Sequence, residues 1–452
     1  MTTSPATVAI DRYRADHEEL SRRLAGEAPW LRDLRQQAWA VFQDSGFPTA
    51  TRGNERWKYT PVGALARTEF GYPFAGPGER IEAERLHHLD PWGPGWTTLF
   101  FMDGQFAPHL SFSHITEPGV TVSTLAEAMT REPALVQSHL GRLVDLTLDG
   151  FHALNTAFLT DGAVIHIPAG LDVASPIHCA FIASGAAAAR SAAVYPRVLA
   201  VLGEGARATL VESYIGLAGA SCFTDAIVEV SLDRGAKLDH YRLLMESAGS
   251  YHVGMTRVRQ SAGSSYNATS FARGAALGRH DLHVALDGEG ASCDLRGLYV
   301  TSGRQHIDHH IDVDHLQPNT RSTQYFKGIL AGSSHAVFSG RVLVARGAQK
   351  SEAHQTDRNL LLSEGCEIDS KPSLEIYADD VQCTHGATAG SVADEELFYM
   401  RARGLDLETA TRTLVRGFAS EITDAITLAP LRAYLEAWIT GSIPELHQGA
   451  TV

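Results

Sequence analysis

The chain has 452 residues, enough for two or three domains and at least one large core, and 44% apolar with 20% charged residues is the balance of a folded protein. The net charge of −14, from 38 Lys and Arg against 52 Asp and Glu, works against binding a phosphate backbone and excludes nucleic acid as the expected partner. No apolar run approaches the roughly 18 residues of a membrane span, the first twelve residues lack the basic start and apolar block of a secretory signal, and five cysteines without a Cys-x-x-Cys pair do not make a disulfide framework. A cytoplasmic protein with reduced thiols is expected.

Residues 1–160 read as a mostly helical N-terminal region. Leu20 and Leu24 lie one turn apart. Pro29 opens a second run with Leu31, Leu34, Ala38, Val41 and Phe42 on a shared side, and Gly46 stops it. A polar stretch, Glu55-Arg-Trp57-Lys-Tyr59-Thr-Pro61, follows as a loop anchored by its aromatics. Short strands are expected near 97–102 and 120–122, and helical spacing returns over 125–159 with breaks near Pro133 and Gly150.

From Gly162 to about residue 392 the texture is β. Gly205, Gly235, Gly263, Gly290, Gly347 and Gly365 each open a strand-like segment, and the first three intervals are 30, 28 and 27 residues. Three residues beyond each stand Ala208, Leu238, Tyr266, Cys293, Lys350 and Ile368, mostly apolar. One residue further stand Thr209, Asp239, Asn267, Asp294, Ser351 and Asp369, all polar. Units too small to bury their own apolar face point to a solenoid built by stacking, most naturally a β-helix. Irregular spacing of the later glycines leaves a β-sandwich open as the alternative.

Residues 393–452 return to helical spacing. Ser391-x-x-Asp394 has the form of a capping box, Gly404 ends a first short helix, Asp406 caps a second, and Pro430 starts a third carrying Leu431, Leu435 and Trp438.

Two constellations can carry chemistry. In the strand ending at His385, alternation puts Val381, Cys383 and His385 on one face, so a thiol and an imidazole form a soft-ligand platform two ligands short of a closed metal site. Residues 306–315 hold His306, Asp308, His310, Asp312 and Asp314 on one face, with His309 and His315 on the other. That set suits a His/Asp metalloenzyme, or the acids of a β-helix carbohydrate-active enzyme. Alternating residues on one strand are roughly 6.5–7 Å apart, too far for all of them to grip one ion, so a polar ladder is the plainer reading. No P-loop, Gly-x-Ser-x-Gly elbow or His-Glu-x-x-His helix is present.

The block Gly347-Ala-Gln-Lys-Ser-Glu-Ala-His-Gln-Thr-Asp-Arg-Asn359-Leu-Leu-Leu-Ser363, then Pro372-x-Leu-Glu-Ile-Tyr-Ala-Asp-Asp-Val-x-Cys383-x-His385-Gly-Ala-Thr, closely resembles the SufB/SufD family of iron–sulfur cluster assembly proteins. Asp394-Glu-Glu-Leu-Phe-Tyr-Met-Arg-Ala-Arg-Gly404 and Glu55-Arg-Trp57-Lys-Tyr59-Thr-Pro61 add to the likeness, and the Cys-x-His-Gly form favours the SufD side of the family. The resemblance implies a mainly β fold, with a right-handed parallel β-helix core (161–392) flanked by N-terminal and C-terminal helical regions. It implies a non-catalytic scaffold subunit whose β-helix edge pairs with SufB and whose C-terminal helices hold the SufC ATPase. A homodimer of the lone chain is left open beside the complex with SufB. His385, with Cys383 beside it, would be this chain's contribution to a transient cluster site shared with SufB. Reduced flavin is associated with the family's complex, and no residue here is assignable to it.

Overall fold

In a computed structural model, which describes residues 5–50, 53–74, 86, 91–184, 191–217 and 219–448, the glycine-rich middle of the chain winds into a parallel β-helix. Each coil gives one strand to each of two sheets. Sheet A stacks Arg197–Leu202, Cys222–Leu232, Tyr251–Gln260, Leu277–Leu286, His306–His315, His335–Val344 and Glu367–Ile376. Sheet B stacks Arg207–Gly216, Lys237–Met245, Ser265–Arg273, Ser292–Thr301, Arg321–Leu330, Glu352–Leu361 and Gln382–Gly390. We number these coils 1 to 7. Successive coils pair in parallel, and strands adjacent in sequence here do not pair with each other, which rules out the sandwich.

The turn from sheet A to sheet B carries the repeat. Gly205, Gly235, Gly263 and Gly290 have φ between 64° and 70°, the left-handed region that glycine enters without a Cβ penalty. The amide of each donates to a carbonyl of the next coil, as Gly205 does to Arg234 at 2.8 Å. In coils 5 and 6 the same place is taken by Asn319 and Lys350, each at φ 60°. The period therefore continues where glycine stops, and Gly347 and Gly365 do not mark it. Lys350 and Ile368, expected on the apolar ladder, lie off it: Lys350 is in the turn and Ile368 pairs with Ala336 in sheet A. The true inward ladder runs Ala208, Leu238, Tyr266, Cys293, Ser322, Ala353 and Cys383, in steps of 27 to 31 residues.

The outer faces of both sheets are covered. Helices Pro5–Arg23, Pro29–Ser45 and Gly150–Ala157 bring Tyr13, Phe42, Phe151 and Phe158 against Phe223, Ile227, Val253 and Met255 on the early coils of sheet A. Pro29 and Gly46 bound the middle helix as expected, with Gly46 N–H donating to the Phe42 carbonyl at 2.8 Å. Helices Leu407–Thr423 and Ala429–Gln448 lay Val415, Ala419, Ile422, Leu431 and Leu435 over Tyr241, Phe271, Leu298 and Ile329 of sheet B. Lys327 fixes that contact, its buried ammonium donating to Phe418 O at 2.8 Å and pairing with Glu421 at 2.9 Å. Asp406 caps the second of the three C-terminal helices through Thr409 N–H, as expected. Ser391 does not cap the first: Asp394–Ala402 has Ala393 at its N-cap, which places Ser391 two residues too far upstream.

The two ends of the stack differ. At the start, a shorter coil of Ala163–Ile167 and Ile177–Ala183 is covered by Thr121–Thr124, antiparallel on the first, and by Thr97–Met102 on the second. At the far end Glu367–Ile376 and Gln382–Gly390 are the last strands of their sheets.

Gly290→Val puts a β-branched side chain at φ 70° and is expected to destabilise by about 1–2 kcal/mol. Lys350→Gly, in the equivalent turn, is expected to cost nothing. Urea midpoints of the two variants check the assignment of the repeat.

Candidate functional site

The last rung of sheet B is where the chain presents donors. Cys383 is the Cα partner of Ala353, and His385 of Gln355, so both stand on inward ladder positions. In coils 1 to 6 such positions are buried by the coil that follows. Coil 7 has no successor, and the same register leaves Cys383 half-buried and His385 exposed. Burial raises the Cys383 thiol, so a metal binding there would have to displace its proton. A thiolate and an imidazole suit iron or zinc, but two donors do not close a site. Among the described residues no group of three or more His, Cys, Asp and Glu could hold a metal ion. A metal at this rung would need ligands beyond these two.

The coil beneath is polar inside. Asp357, pushed up to about 6 by burial, accepts from Ser370 Oγ and Asn359 Nδ2 at 2.7 Å each and from Tyr299 OH at 3.1 Å. These bonds tie the two sheets together across the interior just below the open end. Spacing alone did not single out Gln355, Asp357 or Asn359, because which face is inward depends on the register of the whole stack.

The second constellation resolves otherwise. His306, Asp308, His310, Asp312 and Asp314 do share the outer face of sheet A, with His309 and His315 inside. Instead of lying in a groove, the carboxylates are claimed one by one. Arg279 donates to Asp308 at 2.5 Å and to Asp281 at 3.1 Å, Arg56 reaches Asp281 at 2.7 Å and Asp312 at 3.2 Å, and Arg341 holds Asp312 and Asp314. The loop 54–61 lies over this network. Thr60 donates to Asp308, and Trp57 is buried on the Arg279 guanidinium, 3.9 Å from ring to charge. The loop reading of this stretch thus sharpens into a clip reaching coil 7, where Glu55 pairs with Lys371 at 3.0 Å. Burial raises the Asp281 carboxyl, but Arg56, Arg279 and Arg257 outweigh it and hold it well below the carboxylate range. Carboxylates bound in this way are not available as a metal set or as glycosidic acids.

A third feature is apolar. The Asp394–Ala402 helix buries none of its residues, and Phe398 (74% exposed), Tyr399, Leu405 and Leu407 form a bare patch between the open rung and the docked helices.

Residues 182–418 match the family profile described as SUF system FeS cluster assembly, SufBD core domain, and residues 7–179 match the SufBD protein N-terminal region. An iron–sulfur cluster assembly SufBD family protein of Synechocystis is 32% identical over 86% of both chains. The iron–sulfur cluster assembly protein SufD of Escherichia coli is 30% identical over 88% of this chain and 90% of its own. The chain belongs to the SufB/SufD family. The clip falls in the first of the family's two matched regions and the coils it grips in the second, so its bonds join the halves of a SufB/SufD chain.

Two measurements test this account of the outer wall and the interior. Arg279→Met leaves the buried Asp308 carboxylate without its cation, Asp281 keeping Arg56, and is expected to cost about 3–5 kcal/mol, whereas Arg341→Met, at a partly exposed pair, is expected to cost about 1 kcal/mol or less. Burial lowers His309 to about 3 and His280 well below its usual value, so folding favours their neutral forms. Their contribution is complete above the unfolded histidine value of about 6.5 and is lost as pH falls toward the folded one. At pH 5 each such histidine is expected to cost about 2 kcal/mol, and His309→Phe to remove its share from the difference between urea melts at pH 7 and pH 5.

Proposed function

We propose that this chain is a non-catalytic scaffold subunit for iron–sulfur cluster assembly, presenting His385 and Cys383 to a cluster site completed by SufB. The observation that carries this reading is the open last rung. It sets two inward donors, His385 exposed and Cys383 half-buried, beside the bare backbone edges of two parallel strands. An exposed strand edge recruits another strand, and a second β-helix docked end to end would cover the rung and add thiolates to the ligand set. The nascent cluster is the cargo of such a site. His385 supplies an imidazole lone pair and Cys383 a thiol that loses its proton on binding. In the absence of SufB, the same edge would pair with a second copy of this chain.

The apolar patch at Phe398, Tyr399, Leu405 and Leu407 is the proposed dock for the SufC ATPase. It joins directly to the Gln382–Gly390 strand, and the next helix is fixed to sheet B by Lys327 and Glu421, so force on the patch would reach the rung through short, rigid links.

Reconstitution of the three-protein complex tests the reading. His385→Ala is expected to cut cluster formed per complex by about tenfold or more, read from visible absorbance and acid-labile sulfide, with assembly of the three chains unchanged. Phe398→Ser with Leu407→Ser is expected to lose the ATPase from a pull-down and keep SufB. A full cluster yield from the His385 variant would remove the ligand role.

A further inference from the structure

On the ladder that ends at His385, the rungs below read Gln355, Gln324 and Leu295. The ladder turns polar in coils 5 and 6, directly beneath the imidazole. Both amides are almost completely buried, at 1% exposure each. Gln355 Nε2 donates to Gln324 Oε1 at 2.8 Å, which commits its N–H side to the rung beneath. Its carbonyl oxygen, Oε1, is buried with no partner among the described residues. The space for this amide is built into the opposite sheet: a Cβ at Gly340 would lie 1.9 Å from Gln355 Nε2, so no larger residue fits there while the amide stays in place.

Amides in a parallel, in-register ladder bond along the stacking direction, N–H toward one neighbour and C=O toward the other. With the N–H side taken by Gln324, the carbonyl is left for the rung above, and that rung is His385. We propose that Gln355 is the positioning residue for His385: a ring N–H of the imidazole donates to Gln355 Oε1, which fixes the tautomer and leaves the other nitrogen's lone pair pointing out of the open end. A buried carbonyl left unpaired costs about 1–3 kcal/mol, so the rung above is under pressure to supply a donor, and the imidazole is the side chain placed to do so. Metal-binding histidines commonly donate their second ring nitrogen to a carbonyl or carboxylate in this way. The consequence for cluster assembly rests on the reading of His385 as a ligand; the bond itself does not.

The test uses the full-length chain labelled with 15N-histidine, with the His385 signals assigned by difference against His385→Asn. The wild type is expected to show one ring tautomer at neutral pH. Gln355→Leu is expected to give a mixture of tautomers, and Gln355→Glu, whose carboxylate accepts the same N–H, to restore a single one. In the reconstituted complex Gln355→Leu is expected to lower cluster yield about tenfold and Gln355→Glu to recover most of it. An even tautomer mixture in the wild type overturns the proposal whether or not the variants fold, as does a folded Gln355→Leu chain with an unchanged His385 spectrum. A fixed tautomer together with full cluster yield from His385→Ala would instead sink the ligand role and leave the Gln355–His385 bond standing.

Discussion

A single β-helix coil cannot bury its own inward face; the coil that follows must cover it. The rest of the molecule depends on this. From Ala208 to Ala353 each inward residue is sealed by its partner one coil on, and the sequence at those positions can be apolar or self-satisfied as the neighbouring rung allows. At coil 7 the dependence is unmet. Cys383 and His385 occupy positions that the fold treats as interior while lying at the surface. The same geometry leaves the amides of coils 5 and 6 sealed just beneath them.

The flanking regions cover the outer faces in two different ways. Over the late coils of sheet A the N-terminal clip is mostly charge, and its bonds reach Arg279 and Asp281 in coil 4, Asp308 and Asp312 in coil 5 and Lys371 in coil 7, with Arg341 of coil 6 joined to the network through Asp312. Buried pairs of this kind are weak sources of net stability, but breaking one is costly, so the network fixes the register of coils that could otherwise slip. Over sheet B the C-terminal helices use mainly apolar contact, with Lys327 as the one buried cation in that contact among the described residues. With both walls occupied, the open rung and the Asp394–Ala402 helix are the places where unfinished surface is concentrated.

Much of this was legible in the chain. Alternation put Cys383 with His385, and separated His309 from Asp308, because a strand has a fixed period of two. The glycine turns gave the coil length over the first four repeats. The period was then lost for a local reason: Asn319 and Lys350 adopt the left-handed turn without being glycine, so the signal disappears from the sequence while the geometry persists. What alternation cannot tell is which face is inward or what lies across from it. The carboxylates of 306–315 looked available because their partners, Arg56 and Arg279, are far away in sequence, and Gln355 looked ordinary because its meaning depends on being one coil below His385.

An open rung in a parallel β-helix is ordinarily a liability, since bare strand edges invite unselective pairing. The composition of this rung limits that risk. Its inward positions after His385 are Ala387 and Ala389, with Gly386 before them and Gly390 beyond, so it offers little apolar surface to an arbitrary strand. Specificity must then come from elsewhere, and the two reactive side chains are the distinctive chemistry available at that edge. A partner that merely extends the sheets would bury a thiol and an imidazole against whatever it brings. A partner that brings thiolates would turn the same burial into metal ligation, with the desolvation cost offset by bonds to iron. The open end therefore discriminates between occupants by chemistry more than by shape, and the buried amides below it matter because they set which imidazole nitrogen that chemistry meets.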